Sequence, residues 1–148
     1  MPMVLKEKNI LLDIKAKNKE SVLRELAEVA HQDCPQVDLE VLYQLLLERE
    51  QIGSTGVGNG VAIPHARIEN LDAIQLCFGR TNDGIGFDAI DNQPVHFIVM
   101  ILSPVDQPEK YLKTLATVSR FLKKPELRRQ LRLAENSKKI VEIFKKFH

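Results

Sequence analysis

Residues 95–102 limit, more than any other segment, the folds that this chain can adopt. All of them are apolar except His96, which we interpret as a structural histidine. A run of that length without polar alternation is typical of a central strand that is covered on both faces. The rest of the chain is therefore expected to supply helices for both sides of a sheet.

Apolar residues at helical spacing lie on both sides of this central segment. Asn18 and Asp38 are suited to cap two helices, and the second helix is expected to end near Glu50. After the central strand, the sequence marks three further helix starts, at Pro108 (with Asp106 and Glu109 beside it), Pro125 and Ser137. The last helix is predicted to bury Ile140, Val141, Phe144 and Phe147.

Shorter apolar segments predict the other strands, at residues 10–14, 74–78 and 85–87. The order is then one strand, two helices, a strand-rich middle and three helices. This order predicts an α/β fold, a single domain over residues 1–148 with a mixed β-sheet flanked by helices.

Composition disfavours several classes of protein. The net charge of +1 does not indicate a nucleic-acid-binding protein. No apolar run is long enough for membrane insertion and no signal peptide is recognised, so a cytoplasmic protein is expected. Cys34 and Cys77 lie far apart, and no histidine has a metal-ligand spacing. We therefore expect neither a metal nor another cofactor.

The charges are distributed unevenly along the chain. Residues 1–119 hold 11 Lys/Arg and 17 Asp/Glu, whereas residues 120–148 hold 10 Lys/Arg and 3 Asp/Glu. The basic end either faces an acidic partner or forms a solvated face of terminal helices.

Four of the seven glycines fall within residues 53–60. Such a segment cannot form a regular helix and is predicted to be a loop with positive φ angles. Backbone amides of a glycine-rich loop can cradle phosphate oxygens, and nearby hydroxyl and amide side chains add donors. The candidate phosphate-binding residues are therefore Ser54, Thr55, Gly56, Gly58, Asn59 and Gly60.

His65 follows this loop, directly after Pro64, a residue that fits the end or edge of a strand. A neutral imidazole is a competent nucleophile near neutral pH, and pre-placed donors stabilise a moving phosphoryl group. Val61 stands where a Walker A loop needs lysine, and the glycine spacing is not GxGxxG, so a nucleotide site is disfavoured. From the residues alone, His65 is either a phosphoacceptor or a structural histidine.

The string GSTGVGNGVAIPHA at residues 53–66 resembles the active-site segment of a known family. This family is the fructose/mannitol-type enzyme IIA (EIIA type-2) of the bacterial phosphotransferase system (PTS), in particular its nitrogen-regulatory branch. The strings LERE at 47–50 and FDAIDNQPV at 87–95 resemble the same branch. The similarity runs from Asn9 to the C-terminal helices and implies the mannitol/nitrogen-type enzyme IIA fold.

This resemblance implies roles for individual residues. His65 matches the phosphorylated histidine, which would accept a phosphoryl group on Nε2 from phospho-HPr or its nitrogen-branch paralogue. Arg49 matches an arginine that neutralises phosphoryl charge, in keeping with the several fixed donors of a guanidinium. The alternative for Arg49 is an exposed cation at a helix end, where it is also favoured. Arg67 is interpreted as a solvated residue.

Tyr111 is a departure from the family pattern. Many relatives carry a second histidine near this position, at the start of the helix after the central strand. Tyrosine can donate a hydrogen bond to a phosphoryl oxygen but cannot carry an imidazole's charge. Tyr111 is either such a donor or a core residue with a hydrated hydroxyl.

Three functions follow as hypotheses. The first is a regulatory phosphocarrier whose phosphorylation controls binding to a target protein. The second is the enzyme IIA of a sugar transporter, which relays phosphate to an enzyme IIB. The third is a binding module that has lost phosphotransfer. Tyr111 and the nitrogen-branch wording favour the first over the second, and the intact loop with His65 disfavours the third.

Overall fold

The computed structural model describes residues 5–146 and has the predicted order of strands and helices. A 3-10 turn at Glu7–Asn9 precedes the first strand. The elements that follow are β1 (Ile10–Leu11), α1 (Lys19–His31), α2 (Leu39–Ile52), β2 (Gly56–Gly58), β3 (Val61–Ala62), β4 (His65–Ile68), β5 (Gln75–Ile85), β6 (Val95–Pro104), α3 (Pro108–Leu122), α4 (Pro125–Leu133) and α5 (Ser137–Lys145).

The long strand β6 is the centre of a six-stranded mixed sheet. On one side β5 pairs with it antiparallel, and β1 lies parallel to β5. On the other side β3 and β4 pair with β6 in parallel, one after the other, and β2 is antiparallel to β3. The carbonyl of Pro64, between β3 and β4, accepts a 2.9 Å hydrogen bond from the Ile101 amide of β6. Pro64 therefore lies at a strand end, as predicted.

The side chains of β6 alternate between two hydrophobic cores, and all those named here are buried. The core under α1 and α2 takes Ile98, Met100 and Leu102. The core under α3, α4 and α5 takes Phe97, Val99 and Ile101. This confirms that residues 95–102 form a central strand covered on both faces.

The two predicted helix caps are confirmed. The side chain of Asn18 accepts a 2.9 Å hydrogen bond from the Ser21 amide, and Asp38 accepts bonds from the first amides of α2. The helix α2 runs to Ile52, slightly past its predicted end at Glu50. Among residues 5–146, no helix is long and apolar enough to cross a membrane.

Two predicted strands have different bounds. The first strand is only Ile10–Leu11, because the chain bends after it and places Ile14 in the core. The Ile14 amide still donates to the Arg80 carbonyl of β5 at 2.9 Å. The prediction of a separate strand at residues 85–87 is wrong, since β5 continues past an irregularity after Arg80 and ends at Ile85, opposite Val95.

The glycine-rich segment is not simply a loop. Gly56–Gly58 forms β2, which turns into β3 through Asn59 and Gly60. Both turn residues have positive φ angles, 60° and 75°, as the tight turns of two-residue hairpins require. The predicted positive φ angles are confirmed, but the prediction that the whole segment is irregular is wrong. The Asn-Gly pair is the signal for this hairpin.

The last helix is capped one residue earlier than predicted. Asn136, not Ser137, is the cap, and its side chain accepts a 2.9 Å hydrogen bond from the Lys139 amide. Ser137 is the first residue of α5. Both residue types are good caps, and sequence alone does not separate neighbours. Ile140 and Phe144 are buried and Val141 packs beside them, whereas Phe147 lies outside the described residues.

We expect Asn136→Ala to lower the free energy of unfolding by about 1 kcal/mol, because it removes the cap of α5. Ser137→Ala is the matched control and is expected to change stability by only about 0.5 kcal/mol or less. Urea denaturation of both variants measures the difference. Equal losses would contradict the assignment of the cap.

Candidate functional site

His65 begins β4 and is half-buried between α2 and α3. Its Nδ1 lies 2.7 Å from the Ile63 carbonyl oxygen, and its Nε2 lies 3.2 Å from Arg49 Nε. A carbonyl can only accept and the guanidinium N–H can only donate. These partners assign the proton to Nδ1 and leave the lone pair on Nε2. The nitrogen with nucleophilic capacity therefore faces Arg49.

The surroundings of His65 favour the neutral ring. Burial lowers the pKa of His65 below its ordinary value, because the imidazolium loses hydration. The hydrogen bond to Ile63 opposes this shift, and the positive charge of Arg49 lowers the pKa further. A neutral imidazole near pH 7 is the form that can attack an electrophile.

Arg49 lies in the last turn of α2, and the start of the glycine-rich segment holds it. Its Nη1 donates a 2.8 Å hydrogen bond to the Gly53 carbonyl, and its Nε donates to His65. Its Nη2 has no hydrogen-bond partner within residues 5–146. The guanidinium is thus oriented at the imidazole with donors to spare, and its role in neutralising phosphoryl charge stays a prediction.

A buried carboxylate ties this helix end to the hairpin, and sequence reasoning missed it. Glu50 accepts hydrogen bonds from the amide and the hydroxyl of Thr55. Lys19 of α1 forms an ion pair with it at 2.8 Å. Only 9% of Glu50 is exposed, so its charge needs these partners. In the sequence, Glu50 is only a carboxylate beside Arg49 at the end of an amphipathic helix, so little indicated that it would be buried and bonded to the hairpin.

The structure gives the predicted phosphate-binding residues other partners. The hydroxyl of Ser54 donates to the Phe87 carbonyl and accepts a 3.0 Å bond from the Gly56 amide. Thr55 is bonded to Glu50, and the backbone N–H of Asn59 donates to Asp91 at 3.1 Å. These donors therefore fold the hairpin, and their contact with phosphate stays a prediction that the geometry does not support.

The glycines of the hairpin are required by space and by backbone conformation. A Cβ at Gly56 would lie 2.8 Å from the Cβ of Ala89, and Gly58 and Gly60 have φ angles of 95° and 75°. The carbonyl of Gly60 accepts the amides of His96 and Phe97 in β6. The glycines thus fix the hairpin against β6, and Gly58, Asn59 and Gly60 do not line the cleft beside His65.

An open cleft of about 260 Å³ lies beside His65. It is lined by α2, β4 and α3, and includes Arg67 and Tyr111. The rings of Tyr111 and His65 are 5.7 Å apart and tilted by 56°. Arg67 donates a 2.6 Å hydrogen bond to the Val105 carbonyl, so it is held at the rim and not freely solvated.

Tyr111 presents a protonated hydroxyl near this cleft. Burial raises the pKa of Tyr111, while the charges of Arg49 and Arg67 lower it. The hydroxyl has no hydrogen-bond partner within residues 5–146. Among these residues, no group of three or more His, Cys, Asp or Glu is arranged to hold a metal ion. The cleft thus offers a nucleophile, a cation and a spare donor.

Comparison with known proteins assigns the chain to a family. Residues 3–147 match the family described as "Phosphoenolpyruvate-dependent sugar phosphotransferase system, EIIA 2". The chain belongs to the EIIA 2 family. Membership supports a phosphocarrier role for the chain, and it confirms the resemblance from which His65 and Arg49 were chosen.

Individual relatives of this EIIA 2 chain carry both regulatory and sugar-specific names. A nitrogen regulatory protein of Klebsiella oxytoca is 34% identical over 95% of this chain and 86% of its own length. A fructose-specific EIIABC component of Bacillus subtilis is also 34% identical over 95% of this chain, which spans only 22% of that protein. The crystal structure of nitrogen regulatory protein IIA-Ntr from Neisseria meningitidis has a TM-score of 0.90 at 28% identity, covering 95% of this chain and 96% of that one.

We expect the imidazole of His65 to titrate below its ordinary pKa of 6.5 and to carry its proton on Nδ1 when neutral. Arg49→Gln should raise this pKa, because it removes a positive charge that disfavours the imidazolium. Arg67→Gln is the matched control, since the Arg67 guanidinium bonds the Val105 carbonyl and not the His65 ring. Nitrogen-15 NMR titration of the His65 ring, in the wild type and in both variants, measures the pKa and the tautomer. A lower pKa in Arg49→Gln would contradict this geometry.

Proposed function

We propose that His65 accepts a phosphoryl group on Nε2 from phospho-HPr, or from its nitrogen-branch paralogue, in the cytoplasm. The observation that carries the proposal is the unprotonated Nε2, which follows from the hydrogen bond that Nδ1–H donates to the Ile63 carbonyl and which faces Arg49. A ring fixed in this tautomer needs no proton transfer before it attacks. The family match supports the same step.

The transfer forms one bond and breaks another. Nε2 of His65 attacks the phosphorus, and the bond between the phosphorus and the donor's histidine nitrogen breaks, leaving its electron pair on the donor. The hydrogen bond from Arg49 Nε to Nε2 is lost in this step, because the lone pair of Nε2 forms the new N–P bond. The N–H groups of Arg49 then lie beside the phosphoryl oxygens and offset their charge.

The surface around the cleft suits a protein donor. Ile52 is 83% exposed and Leu112 is 64% exposed, and they lie on the two helices that line the cleft. Exposed apolar side chains beside an open cleft are suited to contact with a partner protein. The open shape of the cleft also leaves room for another protein's histidine to reach His65.

The output that these features support best is regulatory. A phosphoryl group on His65 adds negative charge and acceptor oxygens to an exposed surface, which changes what the surface binds. The Klebsiella oxytoca and Neisseria meningitidis relatives are named nitrogen regulatory proteins. We therefore propose that phosphorylation at His65 controls binding to a regulatory target protein.

A second candidate is relay to an enzyme IIB of a sugar transporter. The similarity to a fructose-specific EIIABC component favours it. Incubation of the phosphorylated chain with a fructose-type enzyme IIB distinguishes the two functions. Rapid loss of phosphate to the enzyme IIB would support relay, and retention would support regulation.

We expect the chain to gain one phosphoryl group when incubated with phosphoenolpyruvate, enzyme I and HPr. The adduct should be labile in acid, as an N–P bond on imidazole is, and intact-mass measurement at neutral pH detects it. His65→Ala should abolish it, because the proposed nucleophile is gone.

His31→Gln is the matched control, since His31 lies on α1 and makes no contact with the cleft. It should be phosphorylated like wild type. A folded wild type that takes no phosphate from active phospho-HPr would refute the phosphoacceptor and leave a pure binding module. An adduct that persists in His65→Ala would refute it by placing the phosphoryl group on another residue.

We further propose that the hydroxyl of Tyr111 donates a hydrogen bond to the phosphoryl group. Tyr111→Phe should shift the phosphoryl equilibrium toward HPr about ten-fold or more, because a hydrogen bond to a charged acceptor contributes about 1.5–3 kcal/mol. The phosphorylated fraction at equilibrium with HPr measures this shift. Tyr43→Phe is the control, since that hydroxyl is bonded to the Glu20 carbonyl. An unchanged equilibrium in Tyr111→Phe would make Tyr111 a packing residue only.

A further inference from the structure

A second cavity, of about 310 Å³, lies near the start of β6, away from His65. Phe97 of β6 lines this cavity, whereas Ile101 of the same strand pairs with His65. The two positions are roughly 13 Å apart along the strand. The cavity is within the size range of small-molecule sites. It is therefore separate from the cleft that the proposed function uses.

One wall of this cavity is a buried arginine. Arg80 of β5 is 8% exposed. Its Nε donates to the Leu12 carbonyl at 3.1 Å, and its Nη1 donates to the carbonyls at the end of α4, including that of Ala134 at 2.7 Å. These acceptors are main-chain carbonyls and bring no net negative charge. Its Nη2 has no hydrogen-bond partner within residues 5–146.

Two more guanidinium groups come from α4. Arg128 and Arg132 are one helical turn apart on the same face, and both line the cavity. Arg128 donates to the Leu122 carbonyl at 2.7 Å, and the side chain of Arg132 has no hydrogen bond within residues 5–146. Arg129, between them, is turned away and forms a bidentate pair with Glu126. The outward-facing Arg129 is thus neutralised, whereas Arg128 and Arg132, which line the cavity, form no ion pair among residues 5–146.

No carboxylate balances this charge. The lining consists of the three arginines with polar and aromatic residues, among them Asn59, Thr81 and His96. None of the three arginines takes part in an ion pair among residues 5–146. Three like charges around one cavity repel each other, and the repulsion is relieved when an anion enters between them. The cavity also holds amide and hydroxyl groups that can bond oxyanions.

We propose that this cavity binds a small polyanion that carries phosphate or carboxylate groups. Arg80 forms the fixed wall, because its position is held by four main-chain carbonyls. Arg128 and Arg132 close on the ligand from α4, and planar guanidinium groups match both oxyanions by paired hydrogen bonds. The partly enclosed shape favours a small molecule over an extended acidic protein.

The test is an amide NMR titration of the full chain at constant ionic strength, with pyrophosphate in one arm and citrate in the other. We expect saturable shifts at Thr81 and Asn82 for at least one probe, at up to about 10 mM. The arm that binds more tightly identifies phosphate or carboxylate as the preferred group. Signals of Ala66 and Arg67 report independently on the His65 cleft.

The double variant Arg128→Gln/Arg132→Gln should weaken this binding at least ten-fold. Arg129→Gln removes one positive charge from the same helix outside the cavity and should leave the affinity within two- to three-fold. Arg80 is left intact, because its bonds to the end of α4 serve folding. Shifts only at Ala66 and Arg67, no saturable shift with either probe, or equal weakening by Arg129→Gln would overturn the proposal.

Discussion

The hydrogen bond between His65 Nδ1 and the Ile63 carbonyl decides what the site can do. It spans only two residues, so it depends on the path of the chain through Pro64, between β3 and β4. Pro64 cannot donate to the sheet, but its carbonyl accepts the Ile101 amide and holds this segment against β6. A rigid central strand therefore fixes a ring tautomer, and the tautomer directs the nucleophilic nitrogen toward Arg49.

The other half of the site is held by the end of α2. Adjacent residues there act in opposite directions: Arg49 points at His65, and Glu50 points inward to Thr55 and Lys19. Glu50 therefore connects the C-terminus of α2 to the N-terminus of α1, through Lys19, and to the start of the hairpin, through Thr55. Removing Lys19 or Thr55 would leave a buried carboxylate less compensated, which is costly. The orientation of Arg49 thus depends on a charge network that does not itself touch the cleft.

The sequence was sufficient for the elements whose signals are local or strongly periodic. Residues 95–102 identified the central strand, and Asn18 and Asp38 identified their helix starts. The motif resemblance identified His65 and Arg49 as partners, and the structure places them 3.2 Å apart. The sequence was not sufficient where a donor has several acceptors within reach. Ser54 and Thr55 were predicted to face phosphate because hydroxyls suit phosphate, but Phe87 and Glu50 bond these hydroxyls instead.

The basic excess of residues 120–148 is a second case in which the sequence alone was not sufficient. Counted along the sequence, its charges suit either a solvated face or an acidic partner. In three dimensions these charges fall into two groups. Arg129 pairs with Glu126, whereas Arg128 and Arg132 lie around one cavity with Arg80, which is 48 positions before Arg128 in the sequence. Arg80 belongs to the acidic part of the chain, so no count over a continuous segment joins it to α4. Only the fold, which places the end of α4 beside Arg80 of β5, gathers the three charges, and it does so with no carboxylate on the lining of the cavity.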